Sequence, residues 1–241
     1  MEFYCKQFSL NHSNSTMKVG TDSILLSSIV ADYYKTQNKE AVQNIMDIGT
    51  GCGIIALCMA QIFPKAQVLA IDIDQNSVLQ ANDNFQSNKW QKRMFAECRE
   101  LKDIALHCEK EFDLLVSNPP YFTNSLLSPV KQRNLARHNC VLTPEEFVNS
   151  TSKIASLTTK IALILPQKEM SVIENLFDKK DFFLARRYDI YTQKNKTTTP
   201  KRVVGIFERE KQKTMAKNIF IRDTFNQYTL EFKDLCNSFL L

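Results

Sequence analysis

The five residues Ser117-Asn118-Pro119-Pro120-Tyr121 carry the sharpest chemical signal in the chain. They follow the apolar run 112–116 (FDLLV), which reads as a strand. Consecutive prolines fix the backbone and donate no N–H, so the Pro119 carbonyl and the Asn118 side-chain oxygen are left to accept from a planar amino group. Tyr121 adds a flat aromatic face for a base or an amide plane. Stripped of function, the same residues are a Pro-Pro turn between strand and loop. A second cluster, Gly49-Thr50-Gly51-Cys52-Gly53, follows the apolar run 44–48 and opens a helix pattern over 54–63 that Pro64 closes. Glycines there turn tightly and leave N–H groups exposed to a ligand. Their spacing departs from the G-x-G-x-x-G that grips a dinucleotide, and the turn lacks a phosphate-binding lysine. Asp72 ends the next apolar run, 67–71, where a carboxylate can accept from both hydroxyls of a ribose. The bland alternative is a tight turn and a solvent-facing Asp. Together the three features suit a nucleoside ligand without phosphates.

These residues need a scaffold that brings strand ends together. Strands at 44–48, 67–71, 93–96 (the weakest) and 112–116 alternate with helices at 54–63 and 75–86, which predicts a parallel sheet with helices on both faces. In such a sheet ligands sit at the carboxyl ends of the strands, where strand order switches. Farther on, Thr143-Pro144-Glu145-Glu146 reads as a capping box opening a helix. A strand at 160–165, a helix at 168–177 and strands at 182–191 and 202–208 follow, the last two expected to form an antiparallel hairpin at the sheet edge. Residues 219–222 read as extended and 229–240 as a terminal amphipathic helix. Two segments break the rhythm: the arm 1–20, ahead of a helix at 22–34, and the stretch 122–142, whose length suits a functional lid or a disordered segment. The expected division is an arm and helix over 1–35 and one catalytic domain over 36–241.

Composition bounds the rest. A chain of 241 residues, 44% hydrophobic and 24% charged, holds a full core without a metal or disulfide staple. Seven cysteines without a C-x-x-C pair, and a start without a leader pattern, predict reduced thiols in a cytoplasm. Three scattered histidines give no zinc site. No apolar run approaches membrane-spanning length. The net charge of +5 is uneven: 14 Lys and Arg face 16 Asp and Glu in residues 1–150, against 17 and 10 in 151–241. Such an excess is most often a solvated face; near a reactive site it suits an acidic partner.

The motifs DIGTGCG, AIDID and SNPPY, in this order, resemble the class I S-adenosylmethionine-dependent methyltransferases that methylate amino groups. The K-Q-F and M-K-V-G-T-D of the arm resemble more specifically the bacterial tRNA1(Val) (adenine-37-N6)-methyltransferases. That likeness returns at Ala136-Arg137, at Lys201-Arg202-Val203-Val204, and from Ile221-Arg222 to Asn226-Gln227-Tyr228, so it spans nearly the whole chain. The NPPY motif alone is shared with DNA, rRNA and protein-glutamine methyltransferases.

The resemblance implies a Rossmann-like fold with a mostly parallel seven-stranded sheet and an antiparallel edge hairpin. It implies S-adenosylmethionine as cofactor and the anticodon loop of a tRNA as partner, with no membrane and no obligatory protein partner. The implied catalytic residues are Asn118, Pro119, Pro120 and Tyr121. Cofactor-binding residues would be Lys18, Gly20, Thr21, Asp47, Gly49, Gly51, Gly53, Asp72, Ile73, Glu97 and Asn118, with the arm covering the pocket. Asp47 would either meet the methionine ammonium or cap the glycine turn, and Asp22 would contact the cofactor or cap its helix. Many relatives place an Asp after the third strand to contact the cofactor adenine; this chain reads Ala96-Glu97-Cys98-Arg99, and Glu97 is the substitute. Arg186, Arg187, Lys194, Lys196, Lys201 and Arg202 beside the hairpin, with Lys131, Arg133 and Arg137 after NPPY, are candidates for RNA phosphates. Two other functions use the same residues: methylation of a protein glutamine, which needs no basic surface, and RNA binding without catalysis, against which the intact glycines, Asp72 and NPPY count.

Overall fold

Strand β3 (Asn44–Ile48) lies at the centre of the site-bearing half of the main sheet, between β4 (Gln67–Asp72) and β6 (Phe112–Ser117). The computed structural model describes residues 1–13, 19–107, 111–119, 142–195 and 198–240. Beyond β4 the sheet ends at β5 (Met94–Cys98). On the other side, β6 is followed in space by β7 (Ala155–Leu165), β9 (Arg202–Glu208), β8 (Phe183–Gln193) and β10 (Met215–Arg222). All strands run the same way except β9, which is antiparallel to both neighbours. The central strands are apolar runs because helices cover both faces. On one face α1 (Thr21–Tyr33), α2 (Ile54–Ile62), α3 (Gln75–Gln86) and α7 (Leu230–Cys236) share a core with Ile45, Val68, Val116 and Ile164. On the other, α4 (Leu101–His107), α5 (Pro144–Ile154) and α6 (Gln167–Asp178) pack over Met46, Ile71, Leu115 and Leu163.

The α/β class, the parallel sheet and the two helical layers match the expectation, and the main differences lie at the edges. The main sheet has eight strands where seven were expected, because β10 extends back to Met215 and pairs parallel with β8. The antiparallel pair β8–β9 exists, but β9 is inside the sheet and β10, not the hairpin, forms the edge. Only Ile219 of β10 is fully buried, so the strand lacks the continuous apolar run that betrays a central one. The arm adds a separate two-stranded ribbon, β1 (Glu2–Tyr4) with β2 (Ser9–Asn11). The capping box on Thr143 and Glu146 is present in full. Helix α4 had no sequence signal: it spans seven residues and buries only Leu101 and Ile104. The stretch 122–142, apart from Leu142, lies outside the described residues.

Helix α1 is part of this core. Every residue from Ser23 to Val30 is buried, and Ser27 and Ser28 are small enough to let the helix sit close against its neighbours. No helix among the described residues is long and apolar enough to cross a membrane.

Candidate functional site

Register places the site. Ser117 pairs with Ile48, Ile48 with Ile71, and Ile71 with Glu97, forming one row across β6, β3, β4 and β5. One residue later the chain leaves β6 at Asn118 and β3 at Gly49, while β4 ends at Asp72. Two strand spacings separate Asn118 from Asp72, about 10 Å, with the glycine turn between them. The row beneath is locked: the buried Ser117 hydroxyl donates to the Ile48 carbonyl at 2.7 Å. Asn118 is half-buried and Pro119 buried. Pro120 and Tyr121, the other half of the predicted catalytic motif, lie outside the described residues, as does Lys18.

The three turn glycines all have positive φ: 73° at Gly49, 56° at Gly51 and 85° at Gly53. They serve different ends. A Cβ on Gly53 would lie 2.6 Å from Phe85 Cε1, so this glycine lets α3 pack on the turn. Among the described residues a Cβ on Gly49 would meet nothing within 4 Å, which leaves the open space a ligand needs. The turn is tied to β4 by the Gly49 and Thr50 N–H groups, which donate to the Ile71 carbonyl at 2.9 and 3.0 Å. Asp72 completes the tie: its Oδ2 accepts from Gly51 N at 2.8 Å and its Oδ1 from Asp74 N at 3.0 Å. Burial raises its carboxyl above the ordinary value, opposed by these backbone N–H donors. Each oxygen keeps lone-pair capacity for a further donor. Ile73, next along the chain, is half exposed at the same rim.

Asp47 is wholly buried. Its Oδ2 accepts from the Thr50 hydroxyl at 2.6 Å and from Ala56 N at 3.1 Å, so it caps the turn and the start of α2. Among the described residues its Oδ1 has no hydrogen-bond partner. Burial pushes the carboxyl up to about 7, against the Thr50 and Ala56 donors. Of the two roles open at the sequence level, turn capping is therefore visible directly.

Other sequence candidates fall less centrally. Glu97 sits in the row beneath Asp72, and strand alternation turns it to the opposite face; its carboxylate pairs with Arg99 at 3.2 Å. Gly20 precedes α1, where a Cβ would meet none of the described residues within 4 Å, and Thr21 is exposed as the first residue of that helix. Asp22 makes no cap; its Oδ2 accepts from Arg202 Nε at 2.8 Å, which pins the start of α1 to the start of β9. That contact gives Arg202, a candidate RNA contact, an internal partner. Arg187 is likewise paired within the fold, to Asp189 at 2.9 Å and Glu174 at 3.8 Å.

Asn84 escaped the sequence reading. Buried in α3, it donates to the carbonyls of Asn11 at 2.7 Å and Cys52 at 2.8 Å, and accepts from Asn11 N at 2.8 Å. One amide thus joins the arm, the glycine turn and α3. Its only signal is an asparagine on the apolar side of a helix, beside the core residues Ala81 and Phe85.

The donor set fits a nucleoside cofactor: an open glycine turn, a strand-end carboxylate beside an apolar side chain, and one buried carboxylate oxygen without a partner among the described residues. Comparison with known proteins agrees. Residues 13–144 match the family described as methyltransferase small domain. A tRNA1(Val) (adenine(37)-N6)-methyltransferase of Histophilus somni is 37% identical over 241 residues, covering 100% of this chain and 97% of the relative. Another so named, from Phocaeicola vulgatus, is 35% identical over 99% of this chain and 97% of its own length. Among solved structures, a predicted O-methyltransferase of Agrobacterium tumefaciens superposes with a TM-score of 0.65 at 17% identity, covering 90% of this chain and 96% of its own. A SAM-dependent O-methyltransferase of Thermotoga maritima gives 0.57 at 12% identity over 83% of this chain and 70% of its own. These two likenesses concern the fold, which is that of the class I methyltransferases. Taken with relatives that match it from end to end, the chain belongs to the family of the bacterial tRNA1(Val) (adenine(37)-N6)-methyltransferases.

Proposed function

We propose that this protein transfers a methyl group from S-adenosylmethionine to the N6 amino group of adenosine 37 in the anticodon loop of a tRNA, tRNA1(Val) being the substrate its relatives are named for. The observation that carries the reading is the row Asn118–Gly49–Asp72 at the rim, where strand order switches at β3. A crevice of this kind takes a ligand across the carboxyl ends of neighbouring strands, and here β6 is followed by an amide, β3 by the glycine turn, and β4 ends in a carboxylate.

When bound, S-adenosylmethionine supplies a methyl group already activated on a sulfonium. The task left to the chain is positioning. Asp72 would accept from the ribose hydroxyls of the bound cofactor, Ile73 would offer an apolar side chain to its base, and Gly49 would leave room for its approach. The Asp47 Oδ1, unpartnered and close beneath the turn, is suited to the methionine ammonium or to a water that reaches it. On the substrate side the N6 lone pair is delocalised into the ring. The Asn118 side-chain oxygen and the Pro119 carbonyl would accept from the amino hydrogens, drawing electron density onto N6 and orienting its lone pair for methyl transfer. By residue type, Pro120 would restrict the backbone and Tyr121 would stack on the extruded base. Proton loss from N6 follows methyl transfer and goes to solvent, so the site needs no strong base. The protein works among reduced thiols in the cytoplasm, where tRNA is found.

The deciding experiment is a nucleoside digest of tRNA from cells lacking the protein, paired with radiolabelled methyl transfer by the purified protein to that tRNA. Loss of N6-methyladenosine in the digest and its return in vitro are expected. Transfer to a glutamine-containing protein instead of tRNA would overturn the reading.

A further inference from the structure

The strands β8 and β10 run parallel to β6, so their carboxyl ends open on the same rim as Asn118. The turn after β10, residues 223–228, projects there. Four strand spacings separate β6 from β10, which puts this turn about 19 Å along the rim from the site. A folded RNA loop with its stem reaches that far; a single nucleoside does not.

The turn is heavily pinned. Asp223 Oδ1 accepts from the N–H groups of Phe225 and Gln227, both at 2.9 Å, and Arg222 Nη1 donates to the Asn226 carbonyl at 2.7 Å. The Arg222 guanidinium lies 4.3 Å from the Tyr228 ring centre, and Tyr228 stacks on Phe232 at 5.1 Å. Lys194, from the neighbouring loop after β8, donates its backbone N–H to the Arg222 carbonyl at 2.9 Å. On this base the Phe225 ring is held out to solvent, 83% exposed. An aromatic ring so exposed on a rigid support serves no core, and Arg222 within the pinned turn and Lys194 tied to it are cationic, in the C-terminal part of the chain that carries the positive excess.

We infer that the 223–228 turn is a stacking platform for an unpaired base of the RNA substrate, with Phe225 providing the face and the surrounding cations the phosphate attraction. Rings on a fixed support stack bases with little ordering cost and without regard to sequence. The platform therefore sets where the RNA lies along the rim, distant from the reacting amino group. This rests on the tRNA reading given above and identifies a second point of contact for the same substrate.

The test measures binding of an anticodon stem-loop RNA by wild type, Phe225→Ala and Phe225→Trp across a salt series, with calorimetric titration of S-adenosylmethionine alongside. Phe225→Ala is expected to raise Kd by about 5- to 150-fold, the loss of one base–aromatic stack. The salt slope should stay that of wild type, because no phosphate contact is removed. Cofactor affinity should not move, KM for RNA should rise far more than the saturated rate falls, and Phe225→Trp should restore binding. An alanine variant within about twofold of wild type overturns the platform and leaves the ring to another partner, such as a protein. A tryptophan variant as weak as alanine also overturns it. Failure of the wild-type protein to bind or methylate the RNA is a different result, seen without any substitution, and removes the tRNA reading together with the platform.

Discussion

Two glycines of one turn should fail in opposite ways. Gly49 and Gly53 both have positive φ, 73° and 85°. Replacing either with alanine therefore incurs a left-handed strain of about 1–2 kcal/mol. The surroundings then separate them. At Gly53 the new methyl would lie 2.6 Å from Phe85 Cε1 and 3.3 Å from Ala81 Cβ, atoms of a packed helix that cannot withdraw cheaply. Overpacking of that kind adds about 1–3 kcal/mol. At Gly49 there is nothing among the described residues within 4 Å to meet. At about 2–4 °C per kcal/mol for a chain of this size, Gly53→Ala should melt roughly 2–12 °C below Gly49→Ala. Gly49→Ala, whose methyl points into open space beside Asp72, should instead weaken S-adenosylmethionine by about tenfold or more through steric exclusion. Thermal melts of both apo-proteins and calorimetric titration of Gly49→Ala are the assays. Equal melting temperatures would refute the packing argument, and wild-type cofactor affinity in Gly49→Ala would refute the assignment of that space to the cofactor.

Asp72→Ala should lower S-adenosylmethionine affinity by about 10- to 100-fold while the protein stays folded, since hydrogen bonds to a charged acceptor are lost without opening the core; unchanged affinity in calorimetry removes Asp72 from the site. Asp47 holds its proton in the fold up to a pH of about 7, against 3.8 for the ordinary carboxyl. The folded state therefore binds the proton more tightly, and this stability is present at low pH and lost as pH rises through 7. Asp47→Asn, which keeps an acceptor for Thr50 and Ala56, should escape that loss. In denaturant titrations its stability relative to wild type should improve by about 2–3 kcal/mol between pH 5 and pH 8, and a constant difference would show that the carboxylate is not desolvated. Asn118→Ala should slow single-turnover methyl transfer by on the order of 10²-fold or more at saturating RNA and cofactor, because its oxygen matters most as N6 gains positive character. A rate within a few-fold of wild type would leave NPPY a structural turn.

The sequence by itself determined the centre of this molecule. The run 44–48 is a strand between the bounds read from it, Asn44–Ile48, because a strand covered on both faces is mostly apolar, and three of its five residues are Ile or Met. Glycines at three positive-φ positions, a carboxylate at the end of β4 and an amide just past β6 are properties of short segments, so their chemistry could be read before their neighbours were known. The tertiary structure decided whatever depends on partners distant in the chain. Strand β10 is at the edge because its backbone finds β8, although four of its eight residues are exposed and give it no burial signature. Asn84 joins the arm to the glycine turn across 73 and 32 residues of sequence. Arg202 looked like one more surface cation until Asp22, 180 residues earlier, was found against it. Charge and polarity are written in the sequence; whether a charge faces solvent or another charge is fixed only when the sheet assembles and brings Asp22 at the start of α1 against Arg202 at the start of β9.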